Sequence, residues 1–356
     1  MNTFLRGLVV SALLAGATVV RAGPMANLDR LVHDGYGRKA RRLIRPLLHD
    51  KPADAHLVKL YAKALLIDQR FRKAFVYSKK LVRERPRDAS DWLIYVAALV
   101  GKSARSGAFS LMGNAGRIHR VLENAVRLDP KDMTARIGLM QYDLQAPGFL
   151  GGSTRQAKVE LRAINAQDPA RGKVARAVFL WSKGHRQAAI AVLRRLIAEK
   201  PSLKGAKKML AQDELELAVR DRRKKRRRKT AASAFQAAWT LYQAKAVRGR
   251  PRRLVAFYRV GLIAALADVH RRAGVRALEY YLTVVPPDQD PPAAWAHYRL
   301  GLLWSDLGHP RRARAQYEDA LSEAHQRKLQ SRKRLIHGVK RALRRLPAEP
   351  APPPHG

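Results

Sequence analysis

The sequence predicts an all-α fold built from repeated pairs of antiparallel helices. Pro52 and Pro86 lie 34 residues apart, and each closes a segment that reads as an amphipathic helix, a short turn and a second helix. An aspartate, a residue type that caps helix N-termini well, follows two positions after each proline and again after Pro130. These three residues are Asp54, Asp88 and Asp132. A fixed period of this length indicates a solenoid of stacked helix pairs.

The clearest copy of the repeat lies towards the C-terminus. Gly301 and Ala313 are small residues at positions where the two helices of a pair approach closely, and Gly308 falls in the turn between them, where a positive φ is useful. Tyr317 and Leu321 follow on the spacing of a buried helix face. This copy resembles the tetratricopeptide repeat (TPR). Weaker copies extend the resemblance over most of residues 26–325. It implies a right-handed α-solenoid of about six to seven helix pairs that serves as a binding scaffold.

Two copies are longer than the period. One carries an insertion over residues 101–116, between its helices, and the next is lengthened by the glycine-rich segment 146–153. That segment has no Gly-Lys pair and follows a helix, so we expect a tight helix connection, with Ser153 capping the next helix, and not a phosphate loop. The runs 135–152 and 257–295 also resemble exported bacterial TPR proteins of undefined function.

The N-terminal residues have the pattern of an export signal. A charge-free apolar stretch over residues 8–20 follows a short segment that carries Arg6, and Val20 and Ala22 precede a candidate cleavage point. The stretch is too short to span a bilayer, which needs about 20 residues. We therefore predict a signal peptide over residues 1–22, cleaved after Ala22, and a periplasmic mature chain without a transmembrane span. The alternative is an uncleaved N-terminal anchor.

Composition points to a strongly basic protein. The chain has a formal net charge of +43 and no cysteine, which excludes disulfides and thiol catalysis. Such charge favours contact with polyanions, although a coding bias towards Arg with the excess solvated on helix faces also accounts for it. Eight consecutive cations are the sharpest feature, and they are candidate polyanion-binding residues: Arg222, Arg223, Lys224, Lys225, Arg226, Arg227, Arg228 and Lys229. Repulsion between like charges predicts an exposed linker here.

The domain prediction follows from these features. Residues 23–217 form an N-terminal TPR-like array, residues 218–232 a basic linker, and residues 233–346 the C-terminal repeats with a capping helix over residues 329–346. Residues 347–356 are a proline-rich, disordered tail.

No catalytic motif or paired histidine spacing is present, so we predict a non-enzymatic protein without cofactor or metal. The predicted function is a TPR scaffold in the bacterial envelope that binds a protein or peptide in its concave face. The repeat phase places five groove candidates there: His56, Lys59, Lys63, Tyr258 and Tyr298. Apart from the tyrosines this set is basic, which favours an acidic partner. The alternative is a polyanion-binding protein for nucleic acid, acidic polysaccharide or anionic lipid. The oligomeric state stays open.

Overall fold

The computed structural model describes residues 24–203, 205–222, 228–249, 253–288, 290–326 and 332–347. Aspartate caps fix where several of its helices begin. The side chain of Asp88 accepts hydrogen bonds from the backbone N–H groups of Ser90 and Asp91, at 2.9 and 3.3 Å. Asp54 and Asp132 cap their helices in the same way, as the sequence predicted. The helices that begin at Ala55 and Ala89 therefore start 34 residues apart.

The described residues form helices without β-strands. The helices are α1 (Pro24–His33), α2 (Gly37–Asp50), α3 (Ala55–Ile67), α4 (Phe71–Glu84), α5 (Ala89–Arg105), α6 (Ala108–Gly113), α7 (Ala115–Leu128), α8 (Met133–Gln145), α9 (Thr154–Gln167), α10 (Pro169–Ser182), α11 (Arg186–Glu199), α12 (Ala206–Asp221), α13 (Arg228–Gln243), α14 (Leu254–Ala267), α15 (Arg271–Thr283), α16 (Ala293–Asp306), α17 (Pro310–Gln326) and α18 (Arg332–Leu343). A short 3₁₀ turn, Gly148–Leu150, lies between α8 and α9.

The chain divides into two compact units, residues 1–207 and 208–356. In the first unit, five antiparallel pairs follow one another: α1/α2, α3/α4, α5/α7, α8/α9 and α10/α11. In the three central pairs, α3/α4, α5/α7 and α8/α9, the first helix is the more buried, because it packs on its own partner and on neighbouring pairs. Nearly every side of α5 is buried. This sequential packing, in which each pair contacts its neighbours, is the solenoid arrangement that the 34-residue period predicted.

The second unit contains the pairs α14/α15 and α16/α17, the helices α13 and α18, and α12 from residue 208 onwards. A Cβ atom built on Gly301 would lie 2.5 Å from the ring of Tyr317, and Ala313 is completely buried. Gly308 has φ of +79° in the turn between α16 and α17. The close approach and the turn conformation predicted from this copy are therefore confirmed, and with them the all-α TPR-like fold.

Several predicted boundaries differ from the observed elements. Helix α12 continues to Asp221 and α13 begins at Arg228, so both ends of the predicted linker 218–232 are helical. The capping helix α18, described over Arg332–Leu343, ends three residues before the predicted 346, and residues 329–331 lie outside the described residues. The predicted signal peptide, residues 223–227 of the basic run and most of the predicted tail lie outside the described residues. Within the described residues, no helix combines the length and apolarity needed to cross a bilayer.

Candidate partner-binding site

Three of the predicted groove residues lie on α3, where their partners come from the neighbouring helices. The Lys59 ammonium lies 2.9 Å from Asp91 Oδ1 and 3.3 Å from Asp88 Oδ2. Arg85 Nη2 lies 2.5 Å from the other Asp91 oxygen, and the Asp91 side chain is completely buried. These four residues form an ion-pair network that ties α3 to α5, so Lys59 is held within the fold and not free for a partner.

His56 is also matched with an acid, since its Nε2 lies 3.2 Å from Asp29 Oδ2. The basic groove predicted from sequence is therefore partly neutralised by aspartates from adjacent pairs. The pattern of α3 alone does not predict these aspartates, because they lie on or beside other helices. The signal was nevertheless present, because Lys59 and Asp91 are 32 residues apart, close to one repeat period, and such residues lie side by side in stacked pairs.

Lys63, one helical turn beyond Lys59, differs from its two neighbours. Its side chain is half-buried, and no ion pair connects it to a carboxylate within the described part of the chain. Burial lowers the pKa of Lys63 most, and the Lys59 ammonium lowers it further, while the charges of Asp29, Asp91 and Asp88 oppose the change. Lys63 is thus a desolvated ammonium whose donors are available to an incoming acceptor.

The two predicted groove tyrosines lie in the second unit and pack into its interior. Tyr258 is only 6% exposed, its ring centroid is 5.5 Å from that of Tyr281, and burial raises its pKa. Tyr298 is half-buried, with its ring 6.2 Å from that of Tyr317 and its hydroxyl end against Gly338 of α18. Tyr258 therefore offers almost no surface to a ligand, and Tyr298 mainly joins α16 to the capping helix.

Only the two ends of the basic run, residues 222–229, can be placed in the structure. Arg222 is half-buried directly after α12, whereas Lys229 is exposed in the first turn of α13. The candidate polyanion-binding residues between them, 223–227, lie outside the described residues, as does the side chain of Arg228.

A second basic feature of the first unit is an open depression of about 570 Å³ lined by Trp92, Arg117, Arg120, Val121 and Asn124. The Trp92 indole N–H donates to the carbonyl of Pro86 at 2.8 Å, and the Arg117 guanidinium stacks 5.3 Å from the centre of the Tyr95 ring. The depression is shallow and wide, which suits a side chain of a protein partner better than an enclosed small molecule.

Two carboxyl groups of the second unit have strongly raised pKa values, although the sequence did not single them out as sites. Burial, and next the carboxylates of Glu216 and Glu214, raise the pKa of Asp213 on α12 to about 7. Burial raises the pKa of Asp290 to about 7 against the opposing charges of Lys208 and Arg259. Groups of this kind occur both at functional sites and in structural networks. Among the described residues, no three histidine, aspartate or glutamate side chains converge as a metal site.

Comparisons with known proteins agree with the fold and go no further. No family model and no curated protein matches the sequence. The crystal structure of yeast Tom70 superposes with a TM-score of 0.58 at 13% identity, covering 95% of this chain and 69% of that chain. A structure of the human IFIT1 dimer with m7Gppp-AAAA gives a TM-score of 0.54 at 16% identity, covering 90% and 72% of the two chains.

The helix pairs, their period and these similarities define the chain as a TPR-like helical-repeat protein. A fold of this class presents extended surfaces for protein interaction, and the similarities extend to the fold alone.

Proposed function

We propose that this protein is a non-catalytic scaffold that binds an acidic segment of a partner protein, with Lys63 of the first unit as an anchor. The observation that carries the proposal is the half-buried Lys63 ammonium, which lacks a carboxylate partner in the described part of the chain while His56 and Lys59 beside it are paired. A carboxylate from a partner would supply the missing counter-charge in a partly desolvated setting, where charge-assisted hydrogen bonds are strong.

The effect of Lys63 on stability supports this interpretation. Because burial and Lys59 lower its pKa, the charged form of Lys63 is less favourable in the folded chain than in water. A residue that reduces stability in the free protein often has a function that needs it.

A photo-crosslinking residue at position 56, an exposed position on α3 two turns before Lys63 that leaves the Lys63 ammonium in place, is expected to capture a partner peptide rich in Asp and Glu, while the same residue at position 79 does not. Lys79 is the matched control, since it is an exposed lysine on the second helix of the same pair. For the captured peptide, Lys63→Met is expected to weaken binding about tenfold, the loss of one hydrogen-bonded charge contact, and to raise the unfolding midpoint.

Lys79→Met is expected to leave both quantities unchanged. Equal crosslinking at the two positions, a captured peptide without acidic residues, or unchanged affinity of Lys63→Met would contradict the proposal.

The polyanion alternative rests on the cations at 222–229, and its signature is salt dependence. These residues carry eight charges of a net +43, so replacing them with Gly and Ser is expected to leave most heparin retention and most of the slope of log affinity against log salt. Heparin elution and nucleic-acid binding over a salt series measure this. A near-complete loss of retention would favour the polyanion function over the scaffold.

The envelope location is part of the proposal and rests on the uncharged apolar stretch at residues 8–20. The mature protein is expected to begin at or near Gly23, because cleavage after Ala22 removes that stretch. N-terminal sequencing of protein from a periplasmic extract tests this. Recovery of an intact Met1 in the soluble cytosolic fraction would disprove the export prediction.

A further inference from the structure

The two insertions that break the repeat period of the first unit carry its most exposed aromatic side chains. Phe109, on α6, is 91% exposed, and Phe149, in the 3₁₀ turn after α8, is 78% exposed. Met112, also on α6, is 45% exposed. Single exposed apolar residues are ordinary, but apolar residues concentrated on two neighbouring projections need an explanation.

Both insertions lie on the same edge of the helix array. Each connects the first and second helices of its pair, α5 with α7 and α8 with α9, and these two pairs are adjacent. The glycine-rich insertion also lies against α7, because a Cβ atom on Gly151 would lie 3.3 Å from Nδ1 of His119, near the start of that helix. We call this edge, defined by residues 105–117 and 146–155, the insertion edge.

The insertion edge is fixed in place, so the exposed side chains are presented and not merely loose. Leu111 and Leu150 pack against the core of the first unit, next to the exposed Phe109 and Phe149. The hydroxyl of Tyr142 donates to the carbonyl of Leu150 at 2.5 Å. The backbone N–H of Gly152 donates to the Pro147 carbonyl at 3.1 Å and closes the turn. One apolar residue of each insertion thus anchors it while the neighbouring phenylalanine points to solvent.

Only cations accompany these aromatic residues in sequence. No Asp or Glu occurs in residues 92–122 or 144–159. The exposed cations of the insertion edge are Arg105, Arg117 and Arg155, and none of them forms an ion pair with a carboxylate of the described chain. Arg117 stacks on the Tyr95 ring, so Arg105 and Arg155 are the cations that remain for a ligand. The buried Asp143 is the nearest acid in sequence to Phe149, and it lies 3.4 Å from His119, beneath the loop.

From this arrangement we propose that the insertion edge docks the protein onto the surface of an anionic lipid bilayer. Phe109 and Phe149, with Met112, would insert into the headgroup boundary while the arginines contact lipid phosphates. Aromatic side chains on two neighbouring projections suit a soft planar surface, and arginines without a carboxylate partner suit its negative charge. The proposal is independent of Lys63 and of the cations at 222–229.

Cosedimentation with vesicles tests the proposal on the full mature chain. Binding is expected to vesicles of phosphatidylglycerol mixed equally with phosphatidylcholine, and not to phosphatidylcholine alone. The double variant Phe109→Ser/Phe149→Ser is expected to bind the anionic vesicles on the order of tenfold or more weakly. Arg105→Gln and Arg155→Gln are each expected to weaken binding about fivefold. Because these four side chains are exposed, the unfolding midpoint is expected to stay unchanged.

Two controls separate this surface from general basicity. Val76→Ser removes an apolar side chain that is 64% exposed on α4, away from the insertions, and is expected to bind like the wild type. Replacing residues 222–229 with Gly and Ser is expected to preserve the loss caused by the phenylalanine changes. The proposal fails if the double phenylalanine variant binds the anionic vesicles normally. It also fails if light scattering shows that these phenylalanines instead join two copies of the chain.

Discussion

Gly301→Leu is expected to lower the free energy of unfolding of the second unit by on the order of 1–3 kcal/mol, the usual range for overpacking a core. A Cβ atom at this position would already lie 2.5 Å from the Tyr317 ring, and Tyr317 is only 1% exposed. The ring has little room to move aside, because Tyr317 lies in a buried cluster with Ala313 and Ala320 of its own helix and Tyr298 of α16. Chemical denaturation followed by circular dichroism measures the change.

Arg311→Ala is the matched control for this substitution. Arg311 is exposed on α17, and its removal is expected to change the free energy of unfolding by no more than about 0.5 kcal/mol. An unchanged midpoint for Gly301→Leu, together with a lower midpoint for Arg311→Ala, would mean that the repeat phase assigned to α16 and α17 is wrong.

The fold could be predicted because its determinants are local and periodic. Asp54, Asp88 and Asp132 each satisfy the N–H groups of their own helix, and Gly301 and Tyr317 meet within one helix pair. Such contacts recur at fixed offsets, so a single sequence contains them. The boundaries near the basic run were less predictable, since repulsion among cations weakens a helix without preventing it, and the described residues are helical up to Asp221 and again from Arg228.

The candidate site was less predictable because it depends on contacts between pairs. The position of Lys59 on α3 predicts a groove residue, whereas its role follows from ion pairs with Asp88 and Asp91 at the start of α5. The repeat phase also predicts Tyr258 as a groove residue, but its ring packs against Tyr281 and is buried.

The insertions show the same limit. Nothing in the sequence distinguishes Leu111, which folds onto the core, from Phe109, which does not. That choice depends on the space left by neighbouring helices, and composition does not record it.

Asp213→Asn is expected to stabilise the protein at pH 8 by about 2–4 kcal/mol and to have little effect at pH 4. Asp213 is 9% exposed, and burial with the nearby carboxylates of Glu216 and Glu214 raises its pKa to about 7. Between pH 4 and 7 the unfolded chain loses this proton while the folded chain keeps it. The folded state therefore binds more protons, and the wild-type free energy of unfolding falls as the pH rises through this window. Asparagine resembles the protonated carboxyl and removes that dependence.

The direction of this effect can be checked against two further carboxyl groups. Asp290→Asn is expected to behave like Asp213→Asn, because burial raises the pKa of Asp290 to about 7 as well. Asp88→Asn is expected to show the opposite dependence. Burial alone would raise the pKa of Asp88, but the hydrogen bond from Ser90 and the charges of Lys59 and Arg85 lower it below its usual value. Its ionised form stabilises the fold above the unfolded pKa, and that stabilisation is lost as the pH falls through the folded pKa.

Denaturation curves for the three variants between pH 4 and 8 measure these trends. A stabilisation by Asp213→Asn that is equal at both ends of this range would show that Asp213 is ionised in the folded protein throughout, and that its burial does not control its charge.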